Sequence, residues 1–146
     1  MTISPSDLVV LDTSVVVDVA RNNRSGQAIL ETYSLRNRAD RPLISVITTG
    51  EMLGMAKAGA WSSEKTDVLH ELLLEFVKLE LTPEVIDAYS DLVALCRQQN
   101  HTMGQQNDMW IAATAKVTGA VLLTGDSGFN WLNSQFIRVE YIPRAS

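Results

Sequence analysis

The stretch Leu8-Val9-Val10-Leu11-Asp12-Thr13-Ser14 places one acid and two hydroxyls directly after four large apolar residues. A short run of Leu and Val predicts a strand that is covered on both faces, because such a strand need not alternate between apolar and polar residues. Burying an unpaired carboxylate is costly. Asp12, at the end of this strand, is therefore expected either to cap the next helix or to be the first ligand of a metal site.

The composition is that of an ordinary globular domain, with 146 residues, 46% of them apolar and 20% charged. No segment approaches the roughly 18 apolar residues of a membrane span, and residues 1–7 do not resemble a secretory signal. Cys96 is the only cysteine, which excludes an internal disulfide and favours a cytoplasmic location. The net charge of −5 argues mildly against tight nucleic-acid binding, although divalent cations can reverse the local sign at an acidic site.

Hydrophobic patterning predicts an α/β fold with a parallel sheet, because predicted strands alternate with predicted helices along the chain. Continuously apolar runs at 8–11, 43–46 and 120–123 predict central strands, and alternating runs at 77–81 and 137–141 predict edge strands. Helices are predicted over 14–20 and 27–35, from Thr48 to Gly59, from Ser62 or Ser63, from Thr82, and from Asn107 to Gly119.

Four acids are predicted at one edge of this sheet, namely Asp12, Glu51, Asp108 and Asp126. Asp12 and Asp126 follow strands, whereas Glu51 and Asp108 are placed in the first turns of helices. In a parallel α/β sheet these positions gather at the carboxyl edge, where such folds bind ligands. Hard divalent cations with oxygen ligands relieve the repulsion between carboxylates, and the absence of a His or Cys cluster argues against zinc. The pattern predicts a Mg²⁺ or Mn²⁺ site that binds phosphate and activates water for attack at phosphorus.

Each acid also has a purely structural explanation. Thr48-Thr49-Gly50-Glu51 matches a capping box, Asp108 would favour a helix dipole, and Asp126 lies in the turn sequence Gly-Asp-Ser-Gly. A non-catalytic binding domain, in which the acids serve only as caps, is therefore one alternative. A receiver-type phospho-acceptor or an aspartate-dependent phosphatase is another, but the second acid typical of haloacid-type phosphatases is replaced by Ser14, and a receiver's acidic pair and lysine are missing.

The sequence resembles the PIN-domain nucleases, and within them the VapC-type ribonuclease toxins of bacterial toxin–antitoxin pairs. The resemblance spans nearly the whole chain, which is taken as a single PIN domain over residues 1–146. It rests on four segments, Val10–Ser14, Ile47–Leu53, Asn107–Ala115 and Leu122–Phe129. It implies a three-layer α/β/α fold whose five-stranded parallel sheet has the order 3-2-1-4-5, and Mg²⁺- or Mn²⁺-dependent endonucleolytic cleavage of RNA.

The resemblance also implies residue roles. Asp12, Glu51, Asp108 and Asp126 fall on the family's four acidic positions, and Thr13 or Ser14, together with Thr124, fall where relatives place hydroxyls near the metal. Many relatives have a further acid where this chain has Gly128, so the local charge is lower, and a second metal, if one binds, is expected to bind weakly. The family further suggests a homodimer, a cognate antitoxin and a structured RNA substrate such as transfer or ribosomal RNA.

Contacts to RNA outside the acidic site require positive charge. A local surplus of arginines is the candidate for these contacts, namely Arg21, Arg24, Arg36, Arg38 and Arg41. His70 and His101 are interpreted as surface residues. Trp61 and Trp131 are predicted in loops, where they could stack on a base or a partner, whereas Trp110 is predicted in the core.

Overall fold

The computed structural model describes residues 3–143 and contains one all-parallel sheet. Its five strands are β1 (Val9–Leu11), β2 (Leu43–Ser45), β3 (Val77–Leu79), β4 (Val121–Thr124) and β5 (Arg138–Tyr141). The strand order is β3-β2-β1-β4-β5. The predicted order and the placement of the alternating runs at the two edges are therefore confirmed.

Six α-helices connect these strands in the described part of the chain. They are α1 (Thr13–Arg21), α2 (Arg24–Thr32), α3 (Val46–Ala58), α4 (Ser63–Leu73), α5 (Pro83–Gln98) and α6 (Gln106–Thr118), and a 3₁₀ helix (Ser127–Leu132) lies between β4 and β5. None of the helices found between residues 3 and 143 is long and apolar enough to cross a membrane.

The helices cover both faces of the sheet, which gives three layers. Alternate residues of β1 point to opposite sides, so that Val9 and Leu11 join the core under α1 to α4, whereas Val10 joins the core under α5 and α6. Both cores consist of buried aliphatic and aromatic side chains. The central strand is covered on both faces, as the uninterrupted Leu and Val run predicts.

The strand order also separates this fold from that of a receiver domain. Receiver domains have the order 2-1-3-4-5. Here β1 lies between β2 and β4, with Val10 paired to both Leu43 and Leu122. The receiver-type alternative is therefore excluded by the sheet topology.

The capping-box interpretation of Thr48–Glu51 is wrong. Strand β2 ends at Ser45, and α3 begins immediately after it, at Val46. The Ser45 side chain accepts a hydrogen bond from the Ile47 backbone N–H at 3.1 Å, so Ser45 is the cap. Glu51 consequently lies in the second turn of α3 rather than in the first, and its carboxylate is not engaged at the helix start.

Other predicted boundaries shift by a few residues. Helix α2 begins at Arg24 rather than residue 27, because the Asn23 side chain accepts a hydrogen bond from Gly26 N at 2.9 Å. A Cβ at Gly26 would lie 2.1 Å from the Asp18 carbonyl oxygen, so only glycine permits this approach of α2 to α1. Strand β3 ends at Leu79, two residues early, and Val68, expected on the inner face of α4, is 62% exposed.

Candidate metal centre

The structure brings the four predicted acids together around one cavity of about 400 Å³. They reach it from four elements, since Asp12 follows β1, Asp126 follows β4, and Glu51 and Asp108 lie on α3 and α6. Residues 103–105 also line this cavity, although they are not among the predicted site residues. These residues carry no acid or base, so their only signal in the sequence was their position in the loop before Asp108.

Asp12 is held by hydroxyl groups at the end of β1. Asp12 is only 4% exposed, and its Oδ2 accepts hydrogen bonds from Ser14 Oγ and Thr124 Oγ1, both at 2.8 Å. Although Asp12 occupies the N-cap position of α1, its side chain makes no capping hydrogen bond. Burial raises the pKa of Asp12, and the two hydroxyls oppose that rise. The capping explanation therefore does not account for this residue.

The same hydroxyls tie Asp12 to the loop after β4. Ser14 Oγ accepts from Gly125 N at 3.0 Å, and Thr124 Oγ1 accepts from Asp126 N at 2.9 Å. Each hydroxyl donates to one carboxylate oxygen and accepts from one backbone amide, which fixes its orientation. These hydrogen bonds therefore fix the position of the Asp12 carboxylate relative to the backbone of Asp126.

Thr13 supports a different acid. Its Oγ1 donates to Glu51 Oε1 at 2.8 Å and lies 3.0 Å from Thr48 Oγ1. Thr48, a fully buried residue of α3, was not predicted to take part. The sequence left Thr13 and Ser14 as alternatives for a hydroxyl near the metal. In the structure both take part, since Ser14 donates a hydrogen bond to Asp12 and Thr13 donates one to Glu51.

The pKa of Asp108 is strongly raised. Burial is the main cause, and the charges of Asp12, Asp126 and Glu51 add to it, so that the pKa of Asp108 rises from 3.8 to about 7. Asp126 is exposed, and its Oδ1 accepts from Gly128 N at 2.8 Å, so it also begins the 3₁₀ helix as the turn interpretation predicts. Capping by Asp126 thus coexists with its place at the cavity.

These residues fit an oxygen-bound divalent cation. The repulsion that raises the pKa of Asp108 is the kind that a cation relieves. Within residues 3–143, no three Asp, Glu, His or Cys side chains are close enough to ligate one ion directly. The four carboxylates are oxygen donors, which suit Mg²⁺, and proteins usually hold this ion through one or two carboxylates while it keeps several waters.

The raised pKa of Asp108 predicts a pH-dependent stability in the metal-free protein. Because the folded state holds this proton up to pH about 7 and the unfolded state releases it near 3.8, protonation favours folding. This contribution to the stability of the fold is fully present below pH 3.8 and is lost as the pH rises through about 7. We expect thermal melting in EDTA to show a decline in Tm between pH 5 and 8 that is smaller in Asp108→Asn.

The same titration predicts how a metal acts on stability. Added Mn²⁺ must displace the Asp108 proton, so we expect it to raise Tm more at pH 8 than at pH 6. Asp67→Asn, on the exposed surface of α4, is the matched control and should behave as the unmodified chain. If Mn²⁺ raised Tm equally at pH 6 and pH 8, or raised it as much in Asp108→Asn as in the unmodified chain, the assignment of Asp108 to the cation site would be contradicted.

Three of the predicted RNA-binding arginines lie away from the cavity, beside segments that precede the strands. Arg36 pairs with Glu75 at 2.8 Å, Arg38 donates to the carbonyl oxygens of Ser4 and Asp7, and Arg41 donates to the Leu74 carbonyl oxygen. These contacts place the three arginines near the amino ends of the strands, so the structure does not bring them to the acids. Arg21 and Arg24 are exposed at the end of α1 and the start of α2, and their binding to RNA stays a prediction.

The remaining singled-out side chains differ in their surroundings. His70 is exposed on α4, as expected, but His101 is half-buried and stacks on Trp131 with ring centroids 4.0 Å apart. Trp61 is half-buried and lies under the ammonium group of Lys65. Trp110 is only partly buried and stacks on Tyr89 at 3.9 Å.

Comparisons with known proteins agree with this architecture. A family profile described as the PIN domain matches residues 9–133. A comparison with curated proteins gives no significant match. Among solved structures, VapBC2 from Rickettsia felis, bound to promoter DNA, is 20% identical with a TM-score of 0.77, and the match covers 92% of this chain and 98% of that one.

Two further solved structures share the fold. VapBC-5 from Mycobacterium tuberculosis, a member of the VapBC family of toxin–antitoxin systems, is 22% identical with a TM-score of 0.66, over 93% of this chain and 98% of that one. FitAcB from Neisseria gonorrhoeae is 26% identical with a TM-score of 0.70, over 90% of this chain and 96% of that one. Because the family profile spans most of the chain and ends beyond the last of the four acids, this protein belongs to the PIN domain family.

Proposed function

We propose that the chain is a Mg²⁺- or Mn²⁺-dependent endoribonuclease. The observation that carries this proposal is the convergence of Asp12, Glu51, Asp108 and Asp126 on one cavity at the carboxyl edge of the sheet. Carboxylates gathered in this way form a site for divalent cations and, through them, for a phosphodiester. Membership in the PIN domain family supports nuclease chemistry at this site.

In this proposal some residues bind the cation and others position those ligands. Asp12 and Asp108, whose pKa values are raised by burial, are the proposed direct ligands, with Asp126 and Glu51 completing the site, in part through water. Ser14 and Thr124 orient Asp12, and Thr13 orients Glu51. A bound cation would supply Lewis-acid activation of water and offset the charge that develops on the phosphate.

The biological role that we propose is that of a toxin controlled by a cognate antitoxin. The solved structures that share this fold include a member of the VapBC family of toxin–antitoxin systems, and they match nearly the full length of the chain. A homodimer, a cytoplasmic location and a structured RNA substrate such as transfer or ribosomal RNA are parts of the same proposal.

The test is cleavage of transfer RNA and ribosomal RNA fragments by the purified chain with Mg²⁺, with Mn²⁺ and with EDTA. We expect internal cleavage with either cation, loss of cleavage in EDTA, and recovery when excess Mg²⁺ is restored. Cleavage that persists in EDTA would overturn the metal-dependent mechanism. Mn²⁺-dependent stabilisation without cleavage of any RNA would instead favour a non-catalytic binding domain.

A further inference from the structure

A second cavity, of about 680 Å³, adjoins the acidic one, and we call it the α5–α6 cavity. It lies between the end of α5 and the start of α6, and its lining includes Tyr89, Arg97, Asn100, His101, Met103 and Gln106. Met103 lines both cavities. Along α6, Asp108 faces the acidic cavity and the next residue, Met109, faces the second. The two cavities are therefore neighbours with one lining residue in common.

Two aromatic side chains of the α5–α6 cavity are held in place from behind. His101 stacks on Trp131 with ring centroids 4.0 Å apart and an interplanar angle of 27°. Tyr89 stacks on Trp110 at 3.9 Å and 15°, and Gln106 Nε2 donates to the Tyr89 hydroxyl at 2.8 Å. Neither tryptophan belongs to the cavity lining. The cavity wall thus carries two preorganised rings, which lose little rotamer freedom when a planar ligand stacks on them.

The polar lining suits a nucleotide. Arg97 is the one Lys or Arg among the described residues that line the two cavities. No carboxylate within residues 3–143 pairs with its guanidinium group. Asn100 and Gln106 bring amide groups, which can donate to and accept from base edges. RNA bound across the four acids needs a nearby cation, and Arg97 supplies one.

We propose that the α5–α6 cavity binds an unstacked base of single-stranded RNA, next to the phosphodiester positioned at the four acids. Aromatic stacking combined with an arginine and hydrogen bonds to base edges is the usual way in which proteins recognise single-stranded RNA. The volume is that of an ordinary small-ligand site. The lining combines amide, hydroxyl, guanidinium and aromatic groups with the side chains of Val93, Cys96, Met103 and Met109, and its polar groups favour a nucleotide over a purely apolar helix of a protein partner. This inference rests on the proposed ribonuclease function, which it extends to substrate selection.

The test compares two variants of the cavity with two matched controls. His101→Ala and Arg97→Ala remove a stacking ring and the cation, whereas His70→Ala and Lys78→Ala remove the same types of group at exposed positions on α4 and β3. Each is combined with Asp12→Asn to prevent turnover, and binding of fluorescein-labelled single-stranded RNA in Mg²⁺ is measured by fluorescence anisotropy. We expect His101→Ala and Arg97→Ala each to weaken binding about fivefold or more, with the controls within about twofold.

Single-turnover cleavage in the background with Asp12 intact supplies the second readout. We expect the half-saturating RNA concentration to rise in His101→Ala and Arg97→Ala, while the rate at saturation and its pH profile stay unchanged. Irradiation of 5-iodouridine-substituted RNA should crosslink peptides that contain Tyr89 or His101. Thermal melting and light scattering establish that the variants keep the fold and the oligomeric state of the parent.

The outcomes separate this inference from the proposed function. Normal metal-dependent cleavage with unchanged RNA binding in His101→Ala and Arg97→Ala would overturn the base site and leave the ribonuclease intact. RNA binding that depends on these residues, without cleavage by the parent chain, would support the site and count against the catalytic proposal. An absence of RNA binding would overturn the base site. A change in oligomeric state that accounts for the weaker binding would also overturn it, because it would identify the cavity as a protein interface.

Discussion

Asp12→Asn is expected to lower the rate of RNA cleavage by about 100-fold or more, since a metal ion contributes several kcal/mol to transition-state stabilisation and each 1.4 kcal/mol is worth about tenfold. The side chain keeps its shape but loses the charge that would hold the cation. Ser14 and Thr124 both donate to Oδ2, so the amide oxygen of Asn must take that position to keep the two contacts, because an amide nitrogen cannot accept from a hydroxyl. Single-turnover cleavage with Mg²⁺ measures the loss.

The fold should survive this change. Burial raises the pKa of Asp12, which means that the charged carboxylate is disfavoured in the folded state, and a neutral amide removes that cost. We therefore expect the Tm of Asp12→Asn in EDTA to equal or exceed that of the parent. Asp67→Asn, at an exposed position on α4 outside the lining of the cavity, should retain full activity. Undiminished cleavage by a correctly folded Asp12→Asn would remove Asp12 from the mechanism.

The sheet was predictable because its strands carry two distinct patterns. Val9–Leu11 and Val121–Thr124 are buried throughout, whereas Val77–Leu79 and Arg138–Tyr141 are partly exposed, as their alternation predicts. A strand buried on both faces must be central and a half-exposed strand must be peripheral. The convergence of the acids followed from topology alone, since the ends of parallel strands share one edge.

Local hydrogen bonding was harder to predict. Thr48–Glu51 satisfies the capping-box pattern, but Ser45 begins the helix three residues earlier, because β2 passes directly into α3. Pattern rules at the level of four residues do not specify which of several competing hydroxyls caps a helix. The pairing of Thr13 with Glu51 and of Ser14 with Asp12 likewise depends on side-chain directions that only the packed structure defines.

His101 illustrates a third limit. Its sequence neighbours are polar, which suggests a surface position, but its ring packs on Trp131, 30 residues away in the 3₁₀ helix. Contacts between distant segments leave no periodic signal. The α5–α6 cavity could therefore not be predicted from the sequence, although each of its residues is visible there.

Phe129→Ala is expected to destabilise the protein by about 3–5 kcal/mol, the usual cost of removing a buried phenylalanine side chain. Phe129 is fully buried in the core that also contains Leu122 and Leu132. Such a loss is a large part of the roughly 5–15 kcal/mol that stabilises a typical domain. Urea unfolding, followed by tryptophan fluorescence, measures the change. Val68→Ala, at a position 62% exposed, is the control and should stay within about 0.5 kcal/mol.

Phe129 should also affect the site, because it anchors the segment that carries Asp126. Its backbone N–H donates to the Asp126 carbonyl oxygen at 3.4 Å, and its ring secures the 3₁₀ helix that Asp126 caps. We therefore expect the milder Phe129→Leu to remain folded but to lose activity beyond its unfolded fraction. Leu69→Ala, in the opposite core under α4, should lose activity only in proportion to unfolding. If the two variants lose activity alike, relative to their folded fractions, then the position of Asp126 does not depend on this anchor.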